Sequence, residues 1–237
     1  MNLSNEFQND SFCCTEEQQE QMDYPSNSSA VGFLKDDSPK RDFVMMTPTA
    51  IQTLVDNGIK VYMQHGFSAG SQFSDMDYAD VGVEFVDDLF EMSSMVKLLV
   101  KFQAISEEQL AFIKDGQTIF SMQEPAQMTM SYVELLTVKR MTALATNLIE
   151  DESGHSMLDK ILTETLSSVG TGIAISNFLL PYVEELAKSP RLRFALQKMP
   201  ALMDSVCCYD GEVCNRDIAD LLNIPYRNIV TLCWDLN

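Results

Sequence analysis

The most constraining feature of this sequence is an alternation of short apolar runs and amphipathic segments through most of its first 150 residues. The run AVGFL at 30–34 is typical of a strand in a sheet covered on both faces. TPTAIQTLVDNG at 47–58 predicts a helix, because Thr47 suits an N-cap and Gly58 suits the end. IKVYMQ at 59–64 predicts the next strand. Strand, helix and strand in this order predict a βαβ unit, the building block of a parallel sheet.

The same alternation continues to residue 149, and beyond it the sequence turns mostly helical. Further strands are predicted at 83–86, 95–102, 117–122 and 142–149. Helices are predicted at 75–82, 106–116, 130–141, 156–169, 176–189, 190–206 and 215–223. The expected fold class is therefore α/β, with a parallel sheet, flanking helices and a C-terminal quarter that is mostly helical.

The first 28 residues differ in composition from the rest of the chain. They are rich in Asn, Gln, Glu and Ser, and residues 1–30 contain six acidic residues and no Lys or Arg. Such a segment buries too little apolar surface to offset the entropy of ordering. We therefore expect a disordered acidic tail at 1–28 and a single domain at 29–237.

The charge of the chain excludes several classes of partner. Sixteen Lys and Arg residues against 35 Asp and Glu residues give a net charge of −19, which disfavours nucleic acids and anionic membrane surfaces. No window is apolar enough for a membrane span, and the N-terminus does not resemble a secretion signal, so we expect a cytoplasmic protein.

Cysteine and histidine usage argues against a metal centre. The six cysteines show no C-x-x-C spacing, which predicts free thiols in a reducing compartment, and adjacent Cys207 and Cys208 would form a disulfide only under strain. His65 and His155 stand far apart and near no catalytic motif, so no metal site is expected.

Five segments, in order, resemble the alanine dehydrogenases and the soluble nucleotide-binding subunit of proton-translocating transhydrogenases. QHGFSAGSQFSDMDY at 64–78 is similar to the family's glycine-rich "KGAGxGSGFSDxxY" segment. MMTPTAIQTLVDNGIKVYM at 45–63 is similar to "ALTPxxVxxLxxxGHxVxV", and DGQTIF at 115–120 to "xGQxLF". Near the C-terminus, SNFLLPYVEELA at 176–187 and YDGEVCNRDIADLLNIPY at 209–226 are similar to "TNATLPYxLxLA" and "YNGxLTxxxVAxxLGLPY".

This resemblance implies a flavodoxin-like substrate domain that lacks one part of the family's architecture. In the family, a Rossmann dinucleotide domain is inserted between the two portions that these segments represent. Here only a short junction near 158–174 separates them. Gly170 and Gly172 have G-x-G spacing, but Ile175 stands where a third glycine belongs and the preceding residues favour a helix. No nicotinamide cofactor site is therefore expected.

The resemblance also implies where a substrate site would lie. The family's Arg that binds a small 2-oxo acid corresponds to Phe43, with Arg41 as a nearby substitute. The family's substrate-binding Lys has its nearest match in Lys101. The general acid/base His corresponds to Glu124, which follows Gln123. A carboxylate with an ordinary pKa is a poor proton donor at neutral pH, so catalysis is in doubt.

Three functions remain open from the sequence. The preferred one is a non-catalytic relative that acts as a binding or interaction module, either as a homo-oligomer such as a dimer or docked on a full-length or Rossmann-containing relative. The second is one subunit of a split alanine dehydrogenase or transhydrogenase-like oxidoreductase, with the NAD domain on another chain. The third is a sensor of a small amino acid or 2-oxo acid.

Overall fold

The computed structural model of the chain describes residues 29–37, 42–165 and 167–234. Its strands are β1 (Ala30–Phe33), β2 (Lys60–Met63), β3 (Glu84–Phe85), β4 (Leu98–Lys101), β5 (Thr118–Ser121), β6 (Thr142–Ala145), β7 (Val206–Tyr209) and β8 (Glu212–Val213). Its α-helices are α1 (Pro48–Asp56), α2 (Asp75–Ala79), α3 (Leu89–Met95), α4 (Glu107–Phe112), α5 (Met130–Val138), α6 (Met157–Glu164), α7 (Ser168–Lys188), α8 (Leu192–Lys198), α9 (Arg216–Leu222) and α10 (Ile229–Trp234).

The strands of this described part form one eight-stranded sheet in the order β3-β2-β1-β4-β5-β6-β7-β8. The first six are parallel, whereas β7 runs antiparallel to β6 and β8 antiparallel to β7. The central order β2-β1-β4-β5-β6 is that of a flavodoxin-like doubly wound sheet. In such a sheet, strands are added first on one side of β1 and then on the other, so the switch point lies between β1 and β4. The predicted α/β fold class, with its parallel sheet and largely helical C-terminal region, is confirmed.

Each face of the sheet carries its own apolar core. On one face, Phe33 and Val100 pack with residues of α1 and α7, such as Leu54 and Leu179. On the other face, Leu99 packs with residues of α3, α4 and α5. The central strands β1, β4 and β6 are therefore buried on both sides, which explains why their sequences are mostly apolar.

Local capping chemistry explains why several helices begin where the sequence predicts. Thr47 Oγ1 accepts a hydrogen bond from the backbone N–H of Ala50 at 3.4 Å, at the start of α1. Ser106 and Gln109 form a reciprocal capping box at the start of α4. Gly58 follows α1 with φ +79°, a left-handed conformation that glycine adopts without steric cost.

The structure corrects three sequence expectations. The predicted helix at 190–206 ends at Lys198, and Val206 instead opens β7, because this apolar segment pairs with β6. Helix α3 was not predicted. The gap between the helices predicted at 156–169 and 176–189 is wrong, since α7 begins at Ser168 and runs through Gly170 and Gly172.

Some expectations concern residues outside the described part. The predicted tail at 1–28 lies there, and so does Arg41. Among the helices that the structure describes, none combines the length and apolarity needed to cross a bilayer.

Candidate functional site

An open cleft of about 570 Å³ lies where β4 and β5 end. Open α/β sheets bind ligands beyond the carboxyl ends of their parallel strands, typically at the switch point, which here lies between β1 and β4. The cleft lies one strand further along the sheet, where the loops after β4 and β5 both lead to helices on the same face. Ile105, Met122 and Met128 provide apolar surface in this cleft. Gln123 and Glu124, which the resemblance singled out, both line it. We call this the edge cleft.

Gln123 and Tyr132 form a hydrogen-bonded pair that also lines the edge cleft. The Gln123 side chain is buried, and its Nε2 donates to Ser121 Oγ at 2.8 Å and to the Tyr132 hydroxyl at 3.1 Å. Asn147 holds the backbone of Gln123 through two further hydrogen bonds of 2.9 and 2.8 Å. Burial raises the pKa of Tyr132 far above its usual value, so this residue stays a neutral phenol at physiological pH.

Two carboxylates stand among the residues of the edge cleft. Thr129 and Ser131 both donate to Glu107 Oε1, at 2.5 and 2.7 Å, and these bonds lower the pKa of Glu107 below its usual value. Glu124 is exposed. The described residues that line the cleft include no Lys, Arg or His. At neutral pH the edge cleft therefore has negative potential.

Lys101 is fully buried at the end of β4, and it does not line the edge cleft. Its ammonium donates to Asp37 Oδ2 at 2.6 Å and to Gln109 Oε1 at 2.8 Å. Gln109 Nε2 in turn donates to Asp37 Oδ1 at 2.9 Å. One oxygen of the Asp37 carboxylate thus accepts from Lys101 and the other accepts from Gln109. The charge of the Lys101 ammonium is therefore neutralised by Asp37.

Phe43 fills the position at which the resemblance implies an anion-binding Arg. Its ring meets the Phe102 ring edge to face, with 5.5 Å between the ring centroids and an angle of 78°. The cavity left beside the two rings measures about 20 Å³. Such a volume admits about one water molecule and no 2-oxo acid.

The structure places Phe43 apart from the other candidate residues that it describes. Phe102 belongs to the core that contains Val100, whereas Lys101 alternates with it and lies on the face of Leu99. Phe43 and Lys101 are therefore on opposite sides of the sheet. Gln123 and Glu124 line the edge cleft on the side of Lys101, because Gln123 donates to Ser121, which pairs with Lys101 across β4 and β5.

Sequence reasoning missed the partners that define this arrangement. Asp37, Gln109, Phe102 and Tyr132 were not singled out. A signal existed for Asp37, because two adjacent acids directly follow β1 at the carboxyl edge of the sheet. Its ion pair spans 64 positions in sequence, so no local pattern reveals it.

The histidines and cysteines lie outside the edge cleft. His65 Nδ1 lies 3.0 Å from Asp75 Oδ2, and its exposed ring stacks on Phe85 with 4.4 Å between centroids. His155 lies in an exposed turn beside Asp151. All four cysteines that the structure describes are free and buried. Burial raises the pKa of Cys207 to about 12, which leaves its thiol protonated and unreactive.

The two junction glycines do not fit a pyrophosphate. Both Gly170 and Gly172 lie inside α7, and the element that the structure describes just before α7 is helix α6, not a strand. A Cβ added at Gly172 would lie 3.2 Å from the Val44 carbonyl oxygen and 3.6 Å from Phe43 Cβ. This glycine therefore permits close packing of α7 on the Phe43 segment, and it cradles no phosphate. In the described residues, no three potential His, Cys, Asp or Glu ligands come together for a metal ion.

The fold and the edge cleft define a class: an open α/β domain with an open cleft at the carboxyl ends of its parallel strands. Residues 35–162, more than half of the chain, match the family model for the alanine dehydrogenase/PNT N-terminal domain. The chain belongs to this family.

Individual relatives agree with this assignment. An alanine dehydrogenase of Staphylococcus saprophyticus is 26% identical over 91 residues, which cover 38% of this chain and 24% of that protein. An alanine dehydrogenase of Mycolicibacterium smegmatis is 32% identical over 78 residues, covering 33% of this chain and 21% of that protein. The matches thus span about a quarter of these relatives' length. A solved L-alanine dehydrogenase chain superposes with a TM-score of 0.67 at 12% identity, covering 81% of this chain and 98% of that one.

Proposed function

We propose that this chain is a non-catalytic relative of alanine dehydrogenase, in which the family's N-terminal domain acts as a binding module. One observation carries the proposal: the position implied for the carboxylate-binding Arg is Phe43, packed on Phe102, beside a cavity of about 20 Å³. A charge-assisted contact to a carboxylate contributes about 1.5–3 kcal/mol, and Phe43 offers none.

The state of Lys101 supports the same proposal. This buried ammonium is the nearest match to the family's substrate-binding Lys, and Asp37 already neutralises it at 2.6 Å. A free 2-oxo acid would have to displace Asp37 to reach it. The position implied for the catalytic His is Glu124, so a carboxyl group stands there in place of an imidazole. Its side chain is exposed to solvent.

Calorimetric titration of the full chain with NAD⁺ tests the proposal. We expect no heat of binding, because the junction glycines lie inside α7 and do not form a phosphate-binding turn. A saturable heat would overturn the proposal and restore an enzymatic function.

A second candidate is a subunit of a split oxidoreductase that docks on a Rossmann-type chain. Exposed apolar side chains favour it: Phe90, Phe112 and Val138 are 60%, 65% and 78% exposed on α3, α4 and α5, which pack against one another. Copurification from the native cell distinguishes the two functions. A Rossmann-type partner in stoichiometric amount would favour the split enzyme, and a solitary band would count against it.

A third candidate, a sensor of small amino acids or 2-oxo acids, is favoured by the edge cleft. Its volume of about 570 Å³ lies within the usual range for small-molecule sites. The two carboxylates that line this cleft, Glu107 and Glu124, limit the class of ligand that it could bind.

A further inference from the structure

We propose that the edge cleft binds a small organic cation, a protonated primary amine with an apolar body, and that it rejects 2-oxo acids. This inference rests on the proposed function, since it names the ligand class of a binding module.

The charges of the cleft carry the first step. Its charged lining residues, among those the structure describes, are Glu107 and Glu124. Both hydrogen bonds to Glu107 end on Oε1, so Oε2 accepts none within the described part of the chain. Two carboxylates without a cation attract a positive ligand and repel a carboxylate, and the attraction grows where the walls exclude water.

The nearby Lys101 does not make the potential of the edge cleft positive. Lys101 lies at the end of the neighbouring strand, but it is fully buried and its ammonium is bound by Asp37. Phe43 and Phe102 supply no charge on the other side of the sheet. The described residues that line the edge cleft therefore offer a free carboxylate ligand no cation.

Gln123 carries the second, independent step. Its Nε2 is used by Ser121 and Tyr132, whereas its Oε1 accepts no hydrogen bond from the described residues. The Gln123 residue is only 2% exposed and lines the cleft, which leaves this free Oε1 as an acceptor for a ligand bound there. A neutral acceptor beside two carboxylates suits the several N–H donors of an ammonium group.

The walls define the rest of the ligand. Ile105, Met122 and Met128 present apolar surface within a volume that accommodates a small molecule. Methionine side chains adapt to different shapes, so the walls favour a branched or linear aliphatic body without demanding one shape.

The experiment compares two probes that share one apolar body and differ in charge. The full chain is titrated with 3-methylbutylamine and with 4-methylpentanoate, by calorimetry and by thermal denaturation. We expect the amine to bind saturably and raise the melting temperature, and the acid to do neither.

Substitutions then locate the site. Glu107→Gln and Glu124→Gln keep the side-chain shape and remove one charge each, and each should weaken amine binding about tenfold. Glu108→Gln is the matched control, because Glu108 is an exposed neighbour on α4 that does not line the cleft. Its affinity for the amine should equal that of the unmodified chain.

Each other result overturns the inference in a recognisable way. Binding of the acid, or binding of neither probe, refutes the cationic ligand and leaves the binding-module proposal standing. Amine binding that Glu107→Gln and Glu124→Gln leave unchanged refutes the edge cleft as its site. Binding of NAD⁺, which is measured separately, removes the proposed function itself.

Discussion

Asp37 governs the electrostatics of the strand ends, because it supplies the carboxylate that a fully buried ammonium requires. The Asp37 side chain is 56% exposed, whereas that of Lys101 is 0% exposed. A buried charge without a partner is costly, so this half-exposed acid keeps a lysine inside a covered sheet. The same contact prevents Lys101 from serving an external anion.

Replacing Asp37 with Ala should destabilise the fold, because it leaves the Lys101 ammonium buried with only Gln109 as acceptor. Breaking a buried ion pair costs about 3–5 kcal/mol, and the exposure of Asp37 reduces the expected loss to about 1–3 kcal/mol. Urea denaturation of the variant and of the unmodified chain measures this difference.

Two further variants control that experiment. Asp42→Ala removes an exposed acid from the same loop and should change stability by less than about 0.5 kcal/mol. Combining Asp37→Ala with Lys101→Met should recover most of the loss, since no buried charge remains. An Asp37→Ala variant as stable as the Asp42→Ala variant would refute the role of the ion pair.

For single residues, the sequence predicted which positions to examine but not which side chains they contact. Phe43, Lys101 and Glu124 follow from the family resemblance, but the structure places Phe43 on one face of the sheet and Lys101 on the other, with Glu124 in the edge cleft. Strand alternation could have placed Lys101 and Phe102 on opposite faces. The neutralisation of Lys101 by Asp37 could not be predicted, because it depends on how two distant strands align.

Helix α7 is the element that joins the C-terminal portion of the chain to the Phe43 segment. Ser176 Oγ accepts a hydrogen bond from the Thr47 backbone N–H at 2.8 Å and donates to the Met45 carbonyl at 3.2 Å. Gly172 allows the same helix to approach Val44 closely. The segment that presents Phe43 to Phe102 is thus held by a helix more than 120 positions away.

Replacing Ser176 with Ala should therefore destabilise the chain by about 1–3 kcal/mol, because the Thr47 N–H is buried and loses its acceptor. Asn177→Ala is the matched control one residue further along α7, where the side chain is exposed. Urea midpoints of the two variants compare them directly. Equal midpoints would show that the Ser176 contact contributes nothing.

Element prediction succeeded where local chemistry decides. The helices capped by Thr47 and Ser106 and the strands with unbroken apolar runs were predicted because their signals lie within a few residues. Strand β7 was missed because its residues, VCCY, follow an apolar stretch that favours a helix. Its pairing with β6 is a tertiary contact that no local signal encodes.

For the molecule as a whole, the sheet unites the two portions of the chain. The N-terminal portion contributes β1 to β6, and the C-terminal portion adds β7 and β8 at one edge and α7 on one face. Only a short junction, formed by α6 and the start of α7, separates the two portions. Because both portions contribute to one sheet, they share its apolar core. The prediction of a single domain at 29–237 stays a prediction until the chain's unfolding is measured.

We infer that the substrate-anion position implied by the family resemblance is closed by Phe43 and Phe102 on one face of the sheet and by Asp37 on the other. Calorimetric titration of the full chain with pyruvate, up to roughly 1 mM, the upper end of usual KM values, tests it most directly. We predict no saturable heat. A saturable heat that Phe43→Ala or Asp37→Asn alters would contradict the claim, because it would show that a carboxylate reaches these residues in the native chain.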